Sequence, residues 1–286
     1  MAQDKVKRGS TKQLIMGEDL KKLQRIEVEM LVELDRICRK NHITYSVSDG
    51  SLLGAIRHKG FIPWDDDADV SMMRSEYNKF REACKKDLDT SRFFLQDWTT
   101  DPNYRWGYAK MRRNDTLLIG DGHQNIKQHQ GVFMDIFIFD GVPDNDYMRN
   151  YVHKFITFCI RKIQYSEIGK TNAKNPLLRK WYKLINKIPV KYTFVWLEKL
   201  AKLNNRRQTK YVKHVTYPHE SGSPNGIPRS FFHNLMNTDF DGHRVMAFKN
   251  YDEYLTMLYG DYMTPLPEKD RVYYEVSEYK FIDVDI

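Results

Sequence analysis

Seven consecutive residues, Trp64-Asp65-Asp66-Asp67-Ala68-Asp69-Val70, limit what this chain can fold into more than any other stretch. Phe61, Ile62 and Trp64 lead into the acids, and Val70, Met72 and Met73 follow them. The alternation predicts a strand over residues 67–73. Side chains two apart on a strand share a face, so Asp65, Asp67 and Asp69 converge while Asp66 points away. Three carboxylates on one face repel unless a cation sits between them. Oxygen ligands suit a hard divalent ion, Mg²⁺ or Mn²⁺, and such an ion suits phosphate chemistry. An exposed acidic turn is the competing reading, and the apolar flanks weigh against it.

Upstream, residues 43–48 alternate as a strand, Asp49-Gly50 interrupts it, and residues 51–58 read as a short helix. A strand that ends in Gly-Ser and opens a helix presents unpaired backbone N–H groups to a phosphate. Alone, Gly50-Ser51 is an ordinary turn. Followed by a strand bearing carboxylates, it resembles the signature of the nucleotidyltransferase superfamily, whose members carry a third carboxylate on a neighbouring strand. Asp135 fits that place. It lies inside the otherwise apolar run of residues 132–139, where an acid is costly without a partner.

The remaining pattern is mixed. Leu20, Leu23, Ile26, Met30, Leu34 and Ile37 recur at three- and four-residue steps and predict a helix over residues 18–40. A second amphipathic helix is expected over 74–88, and further strands over 93–96, 107–111, 116–119, 132–139 and 244–248. Three helices are expected between 145 and 207, separated by Asn175-Pro176 and Pro189, then a loop over 218–228 and a helix over 251–259. The class is α/β of the α+β kind: a nucleotidyltransferase-like mixed sheet flanked by helices, with a basic helical second part. Four regions are expected: an N-terminal helix (1–40), a catalytic core (41–145), a basic helical region (146–215) and a C-terminal region (216–286) that packs back on the core.

Charge is distributed unevenly. The formal net charge is +8, yet residues 151–213 hold sixteen Lys and Arg against Glu167 and Glu198, leaving 30 basic and 36 acidic residues elsewhere. Phe155, Phe158, Tyr165, Trp181, Tyr182, Tyr192, Phe194 and Trp196 are interleaved with these cations. Such a segment suits an anionic membrane surface, with a solvated helical surface as the competing reading and nucleic acid not expected. The apolar runs fall far short of the roughly 20 residues of a spanning helix. Residues 1–16 lack an apolar core of the secretory kind, and Cys38, Cys84 and Cys159 have no paired spacing. No disulfide scaffold or zinc ribbon is expected, and a reducing compartment is.

The longer match is more specific. Residues 49–70, DGSLLGAIRHKGFIPWDDDADV, resemble the core motif of the LicD/fukutin family, supported by GVFMDIFIFDG at 131–141 and by Tyr259-Gly260-Asp261-Tyr262-Met263. The family is similar to metal-dependent transferases of phospho-alcohols from CDP-activated donors to glycans, and its bacterial members resemble phosphocholine transferases acting on teichoic acids or other surface glycans. The resemblance implies attack of a sugar hydroxyl on the phosphorus attached to choline, with CMP leaving. Asp67 and Asp69 would hold the metal, with Asp65 binding it directly or through water, and Asp135 would complete the site and take the hydroxyl's proton. Gly50 and Ser51 would cradle the phosphates; Arg57, Lys110, Arg112 and Arg113 are candidates to counter the diphosphate. Trp98, Tyr104, Trp106 and Tyr108 are candidates for an aromatic box around the choline of CDP-choline. A polyprenol-linked glycan acceptor would place the enzyme in the cytoplasm, peripherally at the inner face of the membrane, held there by residues 151–213. The alternatives are a nucleotidyltransferase adding NMP to RNA or a small molecule, a glycosyltransferase, and a glycan- or lipid-binding scaffold.

Overall fold

The apolar run around Asp135 forms a strand paired on both sides, which is why it tolerates so few polar residues. A computed structural model describes residues 13–124, 126–216, 225–271, 273 and 275–284. The N-terminal half contains β1 (Gln13–Leu14), α1 (Gly17–Lys40), β2 (Ser46–Val47), α2 (Asp49–Arg57), β3 (Asp69–Met73) and α3 (Arg74–Asp87). Four strands follow: β4 (Phe93–Gln96), β5 (Ala109–Arg113), β6 (Leu117–Gly120) and β7 (Phe133–Gly141). A wide π-type turn at Met148–His153 then leads into α4 (Lys154–Asn172), α5 (Pro176–Ile185) and α6 (Lys191–Arg206). The chain closes with β8 (Tyr211–Lys213), β9 (Ile227–Pro228), β10 (Leu235–Phe240), β11 (His243–Phe248), α7 (Tyr251–Tyr259) and β12 (Glu275–Lys280).

The main sheet is mixed, in the order β10-β11-β2-β3-β7-β5-β4, with β8 and β9 continuing from the end of β7. β3 and β7 run parallel with Asp69 opposite Asp135, and β5 and β7 run antiparallel with Lys110 opposite Asp135. A smaller antiparallel sheet joins β1, β12 and β6. The expected mixed sheet flanked by helices is therefore observed.

α1 lies against the main sheet with its apolar stripe buried; Leu23, Ile26, Met30, Leu34 and Ile37 are fully covered. Glu18 and Asp19 sit in its first turn and Arg39 and Lys40 in its last, the arrangement a helix dipole favours. Asn175 caps α5 by accepting from the N–H groups of Leu177 and Leu178, with Pro176 at the first helical position, so the Asn-Pro pair separates α4 from α5 as expected. Residues of the C-terminal region return to the sheet: β11 pairs parallel to β2.

Several elements differ from expectation. The strand expected from residue 67 begins at Asp69, because the chain before it is turned by the Asp65 N–H to Ile62 carbonyl bond. The strand expected over 43–48 is reduced to Ser46–Val47, since the Thr44 N–H is taken by the Glu76 side chain. Part of the expected loop at 218–228 lies outside the described residues, while Ile227–Pro228 is a strand against β8. β10 and β12 were not expected: their sequences, LMNTDF and EVSEYK, are polar, and their strand character comes from pairing with β11 and β6.

Candidate active site

Three neighbouring strands set Asp69, Asp135 and Lys110 in one row across the sheet. Because β5 alternates, Lys110 and Arg112 share the face that carries this row, while Arg113 turns the other way and pairs with Glu29 of α1 at 2.8 Å. Lys110 donates to Asp135 Oδ1, and its ammonium stands 3.2 Å from the centroid of the Phe133 ring. Burial pushes the Lys110 pKa down to about 8, against the raising effect of Asp135. Arg112 donates to Gln96 Oε1 and to the Gly131 carbonyl, both at 2.7 Å.

The acidic segment is fixed from beneath. Ser51 Oγ accepts from the Asp69 N–H at 2.8 Å, the Ser48 N–H donates to the Asp69 carbonyl at 3.0 Å, and Gln24 of α1 donates to the Asp65 carbonyl at 2.9 Å. Gly50 meets the Asp65 carboxylate so closely that a β-carbon there would lie 2.8 Å from Oδ2. Asp65, Asp66 and Asp67 each offer an oxygen within 4.8 Å of the others. Asp66 therefore does not point away as strand alternation predicts, because strand geometry starts only at Asp69; Asp66 and Asp67 line the same cavity.

Burial, reinforced by the Asp66 charge, raises the Asp65 pKa to about 7, and burial with neighbouring carboxylates pushes Asp67 and Asp69 well above the usual carboxylate range. Asp65 Oδ2 and Asp69 Oδ1 are buried without a hydrogen-bond partner. Carboxylate oxygens that crowd one another and lack donors suit a hard divalent cation, and the three gathered closely enough to share one are those of Asp65, Asp66 and Asp67; Asp69, expected as a ligand, stands outside that group and Asp66 stands within it.

A cavity of 610 Å³ opens over the Lys110 and Asp135 part of this row, while Asp65 and Asp69 do not line it. Asp66, Asp67 and Asp135 line it together with Lys110 and Arg112, and Trp106, Tyr108 and Phe133 add aromatic surface. Arg161, Lys162 and Tyr165 of α4 also line it. Part of the basic helical region thus borders the candidate site. Sequence reasoning had assigned these cations to a surface because charge composition carries no direction.

The four candidate aromatics do not form one choline-sized box: Trp98, Trp106 and Tyr108 border a common space of only 20 Å³. Trp106 and Tyr108 line the larger cavity, whereas Tyr104 is fully buried and Trp98 stacks on Phe194 at 5.3 Å. Gly50, Ser51 and Arg57 are not among the lining residues. The Ser51 hydroxyl serves the Asp69 N–H, and Arg57 donates to the Tyr262 carbonyl at 2.7 Å, tying α2 to the Tyr259-Gly260-Asp261-Tyr262-Met263 motif.

Sequence reasoning missed Glu27. It lies on α1 with no exposed surface, one turn after the Gln24 that donates to the Asp65 carbonyl, and both of its carboxylate oxygens lack a hydrogen-bond partner. The apolar progression gave no signal of it, because Ile26 already fills the step between Leu23 and Met30, and Glu27 reads as one of several acids on the helix.

Comparison with known proteins agrees with this architecture. The family described as LicD/FKTN/FKRP, nucleotidyltransferase domain, matches residues 42–167, a span that includes Asp65 to Asp69, Lys110 and Asp135. The lipopolysaccharide cholinephosphotransferase LicD of Haemophilus influenzae is 30% identical over 278 residues, covering 91% of this chain and 97% of that protein. An uncharacterized protein of Rickettsia prowazekii is 22% identical over 186 residues, 64% of each chain. A family domain that spans the carboxylate strands, together with a relative matched over nearly its whole length, makes this chain a member of the LicD family and an enzyme of the phosphotransferase class.

Proposed function

We propose that this enzyme transfers phosphocholine from CDP-choline to a hydroxyl of a cell-surface glycan precursor and releases CMP. The observation that carries the reading is that Asp66, Asp67, Asp135 and Lys110 together line a cavity large enough for a nucleotide-linked donor. The similarity to a lipopolysaccharide cholinephosphotransferase over almost its full length supports the choice of group.

In this mechanism a glycan hydroxyl attacks the phosphorus that bears choline, the new O–P bond forms, and the bond to the CMP oxygen breaks. Asp135 takes the hydroxyl's proton on Oδ2, while Lys110 holds Oδ1 and fixes the carboxylate's orientation. Lys110 and Arg112 counter the charge of the diphosphate. Asp65, Asp66 and Asp67 would hold Mg²⁺ or Mn²⁺; when bound, that ion neutralises phosphate oxygens. Trp106 and Tyr108, with Tyr165 across the cavity, offer ring faces to the quaternary ammonium.

The acceptor in this reading is a polyprenol-linked glycan reached at the cytoplasmic face of the membrane. No helix among the described residues is long and apolar enough to cross a membrane. The helical region instead exposes Phe155, Leu177, Trp181 and Trp196 among its cations, a composition suited to reversible binding at an anionic surface.

Calorimetric titration with CDP-choline, with and without Mg²⁺, tests the reading. Binding that requires Mg²⁺, is lost in Asp67→Ala and is far weaker for CDP-glycerol or a UDP-sugar is the expected result. Equal binding of CTP or ATP, indifferent to choline, would turn the reading to nucleotidyl transfer.

A further inference from the structure

α1 carries three buried glutamates, and two have protein cations. Glu29 is paired with Arg113 at 2.8 Å and Arg92 at 3.0 Å, and Glu33 with Arg36 at 2.8 Å. Glu27 differs. It is fully buried, neither oxygen has a hydrogen-bond partner, and the charges that bear on it most are those of Asp67, Asp66, Asp65 and Asp69, all of its own sign.

A carboxylate in that position is costly on every count: it has lost water, gained no donor and faces other acids. The local cation, Lys110, is held by Asp135. The helix is also placed firmly there, since Gln24, one turn earlier, donates to the Asp65 carbonyl. Glu27 is therefore a buried carboxylate without a partner, as are Asp65 Oδ2 and Asp69 Oδ1.

We propose that Glu27 is a further ligand of the divalent cation held by Asp65, Asp66 and Asp67, supplied from α1 on the side away from the donor cavity. This rests on the metal-dependent reading above and extends it. Asp67 meets the substrate side of the ion, while Glu27 anchors the ion from within the protein. The cation then does structural work as well, replacing for Glu27 the arginines that serve Glu29 and Glu33. Binding of the metal should consequently strengthen the joint that Gln24 already makes between α1 and the acidic segment, before any donor arrives.

The test uses Mn²⁺ alone, followed by electron paramagnetic resonance, on the full chain and on Glu27→Gln. The variant keeps the side chain's shape and removes its charge. Its Mn²⁺ dissociation constant should rise at least about tenfold. Saturating Mn²⁺ should raise the unfolding temperature of the wild type clearly more than that of Glu27→Gln. Glu27→Asp provides a second reading should the glutamine variant not fold. It keeps the charge and withdraws the oxygens by one methylene, so Mn²⁺ binding should weaken here too. Wild-type affinity in both variants would overturn the proposal and leave Glu27 a neutral buried acid. A wild-type protein that binds no Mn²⁺ would overturn the metal reading itself, and this inference with it.

Discussion

Lys110 and Asp135 face each other in register across β5 and β7, and the lysine donates to the carboxylate where both line the cavity. Their sequence separation of 25 residues is bridged only by the sheet. With the Lys110 pKa lowered from 10.5 to about 8, the charged pair persists below that pH and is lost as pH rises through it. In the transfer reaction, kcat/KM should fall above about pH 8 in the wild type. In Lys110→Arg, whose guanidinium stays protonated, the alkaline fall should move upward. An identical alkaline limb in both proteins would remove Lys110 from the reaction.

Arg74 and Asp140 form a two-pronged buried pair, at 2.7 and 2.5 Å, where α3 leaves β3 beside the end of β7. Asn205 of α6 also donates to Asp140, so the pair ties the helical region to the sheet. Arg74→Met should cost about 3–5 kcal/mol by leaving a buried carboxylate without its cation. Urea unfolding measures this, and Arg74→Met with Asp140→Leu should recover part of the loss. A single variant as stable as the wild type would contradict it.

His153 gives the fold a dependence on acid. Burial pushes its pKa from 6.5 to about 4, and its Nε2 has no partner. The folded state therefore binds its proton less readily than the unfolded state. The associated stability is complete above about pH 6.5 and is lost as pH falls toward 4, amounting to ~3 kcal/mol. Unfolding free energies at pH 7.5 and 4.5 should differ by correspondingly less in His153→Leu than in the wild type. Equal differences would show that His153 is protonated at no cost.

The cavity aromatics predict donor choice. Trp106→Leu should weaken CDP-choline binding by roughly 0.5–2 kcal/mol while leaving CDP-glycerol binding unchanged, as the loss of one ring face from a quaternary ammonium requires. Trp98→Leu should affect both donors alike, since that ring stacks on Phe194 and does not line the larger cavity. Equal losses for the two donors in Trp106→Leu would remove the ring from choline recognition.

The strands and helices that carry the site were readable because each has a local cause. β7 is an apolar run, α1 has an apolar stripe, and α4 to α6 are punctuated by prolines. The placement of Asp66 was not readable: alternation applies only where a strand has a partner, and that pairing begins at Asp69. The arrangement around the cavity was hidden for another reason. Arg161 and Lys162 look like any surface cations in a basic segment until α4 is folded over the sheet, and Trp98 looks like its neighbour Trp106 until Phe194 claims it. Glu27 was hidden as well, since Ile26 completes the apolar stripe beside it and an adjacent acid on a charged helix marks nothing until the helix is packed.

Turnover of CDP-choline is the most direct measurement. The purified enzyme, CDP-choline, Mg²⁺ and a lipid-linked surface glycan should yield CMP and a choline phosphodiester on the glycan in equal amounts, followed by ³¹P NMR. The product should be absent without the divalent ion and in Asp135→Asn. CMP without glycan modification, or pyrophosphate from a nucleoside triphosphate instead, would contradict phosphocholine transfer.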